Sequence, residues 1–114
     1  MGPDRVLLSQ PDRPTAVLAT SDELALGVVS AAQQVGLAVP DDLSVVGFDD
    51  IADAANSHPP LTTVRQDHAM KGRLAGRLLS AHLRGEAPID PPTLTGRLVV
   101  RGSTAPAGRQ LPGA

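Results

Sequence analysis

Between Thr15 and Phe48 the chain runs apolar, then amphipathic, then apolar again, and this order constrains the fold more than any other feature of the sequence. The first run, Thr15 to Thr20, follows Pro14 and breaks at a polar cluster, the pattern of a strand passing into a helix. Thr20 and Glu23 stand at capping-box spacing, so Thr20 is read as the N-cap, with Asp22 near the positive end of the helix. From Asp22 to Val35, the residues Leu24, Val28, Ala31, Ala32 and Val35 recur at the spacing of one buried helical stripe, and Gly36 supplies the stop. After the turn Pro40-Asp41-Asp42, Leu43 to Phe48 is almost continuously apolar, as suits a strand covered on both faces. Strand, helix and strand in succession make a βαβ unit with a right-handed crossover, hence an α/β fold with a parallel sheet flanked by helices.

The remainder extends that plan. A third strand is expected at Leu61 to Arg65, and the stretch between Asp49 and His58 permits a short helix. Asp67 to Arg84 sets Met70, Leu74, Leu78 and Ala81 at helical spacing, with a second stripe through Ala75 and Leu79 and with Lys71, Arg73, Arg77 and Arg84 left for water. Ile89 to Pro92 reads as a proline-rich connection and Leu94 to Arg101 as a last strand. Phe48 is the only aromatic residue, so the core must be aliphatic.

Several function classes are disfavoured. At 114 residues one unit is expected. A net charge of -2 lacks the basic footprint of a nucleic-acid surface, so no direct DNA contact is expected from this stretch. No cysteine is present, which removes thiolate metal sites and cysteine nucleophiles and fits a reducing compartment. The start Met1-Gly2-Pro3-Asp4-Arg5 lacks a secretion pattern, and no apolar run approaches the ~18 residues that span a bilayer, so a cytoplasmic location and no membrane partner are expected. Phosphate-binding glycine loops and a GxSxG elbow are absent, and His58, His68 and His82 lack ligand spacing. No cofactor, metal site or catalytic residue is assigned.

In an open parallel sheet, ligands bind beyond the carboxyl ends of the strands. Three such ends are polar here: Ser21 and Asp22, then Asp49 and Asp50, then Gln66 and Asp67. Carboxylates, a hydroxyl and an amide around one crevice suit a polyhydroxylated ligand. The same residues have plainer readings, since Asp22 and Asp67 suit first-turn or capping positions and strand-to-helix loops favour Asp. An acidic pair also permits magnesium and phosphoryl chemistry, though without the accompanying loop or lysine.

Four ordered motifs then coincide: Pro14-Thr15-Ala16-Val17 through Ser21-Asp22-Glu23-Leu24-Ala25-Leu26-Gly27, Gly36-Leu37-Ala38-Val39-Pro40-Asp41-Asp42-Leu43-Ser44-Val45-Val46-Gly47-Phe48-Asp49-Asp50, Pro59-Pro60-Leu61-Thr62-Thr63-Val64-Arg65-Gln66 and Arg97-Leu98-Val99-Val100-Arg101-Gly102-Ser103-Thr104. Together they resemble the C-terminal part of regulators of the lactose-repressor/galactose-repressor (LacI/GalR) family. The resemblance implies part of a type I periplasmic-binding-protein-like lobe that senses a small molecule, a sugar by preference, in a homodimer whose DNA-binding headpiece and first lobe lie elsewhere. Residues 1–13 would then be the end of a helix and its loop, 14–104 the C-terminal part of the effector-binding and dimerisation domain, and 105–114 a flexible tail. Carried onto matching positions, Asp49 contacts ligand hydroxyls, Ser21 replaces an amide common in the family, and Asp22 and Gln66 complete the effector-binding set. Leu26, Val29 and Ser57 fall on surfaces that pair two subunits. Two other readings share the fold: a periplasmic sugar-binding protein and an interaction-only dimerisation module.

Overall fold

The computed structural model describes residues 2–87 and 90–107. Their elements follow in the order α1 (Pro3–Leu8), β1 (Ala16–Leu18), α2 (Asp22–Gln34), β2 (Ser44–Val46), α3 (Ala52–Asn56), β3 (Thr63–Arg65), α4 (His68–Leu83) and β4 (Arg97–Val99). The expected proline-rich connection lies partly, and the expected tail mostly, outside the described residues. Two units result: one built from residues up to Arg65 and from Leu98 onward, the other from Gln66–Arg97.

In the larger unit, β1 pairs with β2 in parallel, with Val17 opposite Val45. Bonds from Ser44 N to Thr15 O and from Ala19 N to Val46 O extend this pairing past both ends of β1. Beyond Val46 the chain bonds β3 instead, Gly47 N to Thr62 O and Asp49 N to Val64 O, both at 2.9 Å, in parallel bridges. At the opposite end β2 and β3 part, and Ser103 fills the gap. Its carbonyl accepts from Val45 N at 2.9 Å, while its hydroxyl donates to Val45 O at 2.6 Å and accepts from Thr62 N at 2.8 Å. β4 lies beside β3. The bond from Gly102 N to Pro60 O shows that numbering falls along one strand as it rises along the other, so this pair is antiparallel and the sheet is mixed.

The core is aliphatic. Leu43, Val45 and Leu61 are fully buried and pack with Leu8, Ala25, Val29 and Ala32, whereas Phe48 stays exposed. The buried face of α2 is Asp22, Ala25, Val29, Ala31 and Ala32, rotated from the expected stripe. Leu24 is 58% exposed and Val28 only half-buried. The helix carries apolar residues on two faces, and the small alanines win the inner one because they let the helix backbone approach β2 closely. Val29, expected at a subunit interface, is therefore a core residue of its own chain. Gly36, at φ 84, ends α2 in the left-handed geometry that glycine adopts freely.

In the smaller unit α4 buries Ala81 and half-buries Leu74 and Leu78, leaving Met70, Leu79 and Leu83 exposed. Asp67 caps it, its Oδ1 accepting from Met70 N at 2.9 Å.

Candidate functional site

Where β1, β2 and β3 reach their carboxyl ends, the larger unit gathers its polar residues. Ser21, rather than Thr20, caps α2: its Oγ accepts from Leu24 N at 3.2 Å. Both residue types cap well, and the choice falls on the one that lets the next residue turn inward. That residue is Asp22. Its backbone N donates to Phe48 O at 3.1 Å, which draws the start of α2 against the end of β2.

The Asp22 side chain is sealed from solvent. Oδ2 accepts from Ile51 N at 2.8 Å and Oδ1 from Thr63 Oγ1 at 2.5 Å, so one carboxylate ties together α2, the loop after β2, and β3. A buried carboxylate needs such donors, and the positive end of α2 adds to them. Asp22, expected as a supporting member of the effector-binding set that orients the start of the helix, is fully buried, with both carboxylate oxygens engaged within the chain. The fit is tight: a Cβ on Gly47 would overlap Asp22 Oδ1 and come within 3.0 Å of Leu61 Cδ2.

Asp49 and Asp50 follow in an unusual turn, at φ 134 and φ 62. Asp tolerates positive φ better than most side chains, yet two in succession need support. It comes from the bond of Asp49 N to Val64 O, from the hold of Asp22 on Ile51, and from Asp50 itself. Arg65 Nε approaches Asp50 Oδ2 at 2.6 Å and Arg101 Nη2 approaches Oδ1 at 2.8 Å, while only 8% of the Asp50 side chain is exposed. The Arg65 hydrogen bond, with Arg101 beside it, outweighs desolvation and holds the Asp50 carboxyl below the usual carboxylate range. With both oxygens taken by guanidinium groups, the acidic pair does not suit magnesium. Among the described residues no group of three metal-ligating side chains occurs.

The structure thus brings Ser21, Asp22 and Asp49 to one end of one sheet. Gln66 opens the smaller unit, where its Oε1 accepts from Lys71 Nζ. Of the expected pairing residues, Leu26 is half-buried against the core, and the Ser57 hydroxyl donates within its own turn, to Ala54 O at 3.2 Å and Pro59 O at 2.8 Å. The Asp50–Arg65–Arg101 cluster was not assigned from sequence. Its signal was present in motifs already noted, since Arg65 and Arg101 fall inside them, but nothing local joins residues so far apart in the chain. Elsewhere, a groove of about 560 Å³ along β1 and α2 is lined by Val17, Leu18, Leu24 and Val28 among others, and its mostly aliphatic walls offer a polyhydroxylated molecule few partners.

Residues 3–104 match the family model of the periplasmic binding protein-like domain. The HTH-type transcriptional regulator MalR of Streptomyces coelicolor is 50% identical over 94 residues, which are 82% of this chain and 27% of that protein. Among solved structures, a LacI family transcriptional regulator from Bifidobacterium animalis subsp. lactis superposes with a TM-score of 0.82 at 35% identity, over 92% of this chain and 39% of its own. The lac repressor dimer bound to operator and the anti-inducer ONPF gives 0.79 at 37% identity, over 89% and 35%. The chain spans about a quarter of the curated relative's length. These relatives are regulators rather than enzymes, and the chain belongs with them: it carries a periplasmic-binding-protein-like effector region of the LacI/GalR regulator family.

Proposed function

We propose that the chain forms one wall of a small-molecule cleft in a cytoplasmic transcription regulator and that its ligand is a sugar. The observation that carries this reading is the convergence of Ser21 and Asp49 at the carboxyl ends of β1 and β2, backed by the buried Asp22. Asp49 is the charged acceptor for ligand hydroxyls, and such bonds are stronger than neutral ones. The Ser21 oxygen accepts from Leu24 N with one lone pair, which leaves its proton and a second lone pair to offer a ligand. A homodimer forms through the surface that includes Leu26 and the α3 end at Ser57.

Titrating the chain with mono- and disaccharides while following backbone amide resonances tests the ligand assignment. Shifts centred on Ser21 and Asp49 are expected, and Asp49→Ala should weaken the response about 10- to 100-fold, the scale of one charged hydrogen bond. If no sugar moves either resonance, the assignment is wrong. Sedimentation of Leu26→Glu tests the pairing surface and should show monomers where the parent chain shows dimers.

A further inference from the structure

Two stretches of main chain join the larger unit to Gln66–Arg97: one leaves at Arg65, the other returns at Leu98. Arg65 stands at the first of these points and Arg101 just past the second, and both reach the same carboxylate. Arg65 Nε lies 2.6 Å from Asp50 Oδ2, and Arg101 Nη2 lies 2.8 Å from Asp50 Oδ1. Arg101 Nη1 also donates to Leu61 O at 2.9 Å, which fixes the guanidinium plane against the start of the β3 segment. A shared, largely enclosed carboxylate of this kind holds its partners more firmly than an exposed ion pair does.

The backbone bearing that carboxylate is under strain. Asp49 and Asp50 both sit at positive φ, and Asp49 is the residue whose direction matters to a ligand. Both Asp50 oxygens are engaged by arginine, so Asp50 acts through the backbone rather than by touching what binds beside it.

We propose that Asp50 is a positioning residue: shared between Arg65 and Arg101, it sets the left-handed turn that aims Asp49 and couples that turn to both connections with Gln66–Arg97. What Asp49 is aimed at rests on the sugar-binding reading; the coupling does not. A ligand held by Asp49 pulls on a turn anchored to both connections, and a displacement of either connection reaches the Asp49 carboxylate through one side chain.

Amide hydrogen exchange on the full chain, without any ligand, tests the coupling. In Asp50→Asn, the amides of Asp49 and Gly102 should exchange at least about tenfold faster while those of Ala25 and Val29 in α2 keep their rates, the mark of local opening. Adding Arg101→Gln to Asp50→Asn should change the Asp49 rate by less than about twofold, because the Arg101–Asp50 pair is already lost in Asp50→Asn and the remaining Arg101 bond goes to Leu61 O, not to the turn. Arg65→Lys, which retains the charge, should restore most of the protection that Arg65→Gln loses. Arg65 is half exposed, so Arg65→Gln carries the same test should Asp50→Asn fail to fold. Uniform acceleration across the larger unit, or an unchanged Asp49 rate, overturns the proposal. A failed sugar titration leaves this result standing, and a failed exchange experiment leaves the sugar result standing.

Discussion

The helices α2 and α4 are both amphipathic and both capped by an acceptor side chain, yet the chain buries them very differently. On α2, Ala25, Val29, Ala31 and Ala32 are enclosed together with Asp22; on the longer α4 only Ala81 is, and Leu83 remains 76% exposed. Helical periodicity declares which residues can share a face. It confers stability only where a second surface receives that face, which here is the sheet beneath α2. The larger unit should therefore carry most of the folding free energy and Gln66–Arg97 little of it.

Core truncation puts that contrast to its hardest test. Leu43→Ala or Leu61→Ala, each at a fully buried site, should lower the unfolding free energy by about 2–5 kcal/mol in urea titrations. Leu79→Ala and Leu83→Ala should stay within about 0.5 kcal/mol of the parent. Comparable losses in both sets would mean that α4 packs as firmly as α2.

Next in size comes the polar junction under the site. Asp22→Ala strands Ile51 N and the Thr63 hydroxyl in an enclosed space, at about 1–3 kcal/mol for each group left unsatisfied. Asp22→Asn should be milder, since an amide accepts from Ile51 N with its oxygen and donates to Thr63 Oγ1 with its nitrogen. Gly47→Ala should cost about 1–3 kcal/mol through overlap with Asp22 Oδ1, and less in the Asp22→Ala background, where that oxygen is gone. Additive losses would contradict the contact.

This junction marks how far the fold and site were legible in the sequence. The order of strands and helices followed from apolar runs and their periods, because those patterns are local. The α2 stripe was misplaced because Leu24 and Val28 on one side and Ala25 and Val29 on the other satisfy the same period, and only the sheet decides between them. Asp22 looked like an ordinary first-turn residue; its burial depends on Gly47 and Thr63, which approach only after β2 and β3 pair. The strand-end rule offered Ser21, Asp22, Asp49, Asp50, Gln66 and Asp67 alike, and only the family resemblance singled out Asp49 among them. The grip of Arg65 and Arg101 on Asp50 required the whole sheet.

A pH titration separates the same two regions with a smaller effect. Asp50 faces Arg65 from β3 and Arg101 from the segment after β4, with Asp49 beside it in the turn, and its folded pKa lies below the ordinary 3.8. A depressed carboxylate pKa adds stability that is fully present above the unfolded value and fades as pH falls through the folded one. The larger unit should thus lose stability below about pH 4 more steeply in the parent than in Asp50→Asn. Equal slopes would remove Asp50 from the acid response, and α4 helicity should not follow that difference.

The smallest effect asks whether the two regions unfold together at all. Gly27 in α2 and Gly72 in α4 both lie inside helices, and a Cβ at either would meet nothing within 4 Å. Alanine at each should therefore add about 0.8–1 kcal/mol of helix propensity without a steric cost. Since the intrinsic gain is the same, any difference in outcome reports how each helix is connected to the rest. If α4 opens independently, Gly72→Ala slows exchange of α4 amides several-fold and leaves the main urea midpoint in place, whereas Gly27→Ala raises that midpoint. Equal rises from the two substitutions would make the chain one cooperative unit and dissolve the contrast, because a helix that melts ahead of the core cannot lend its stability to it.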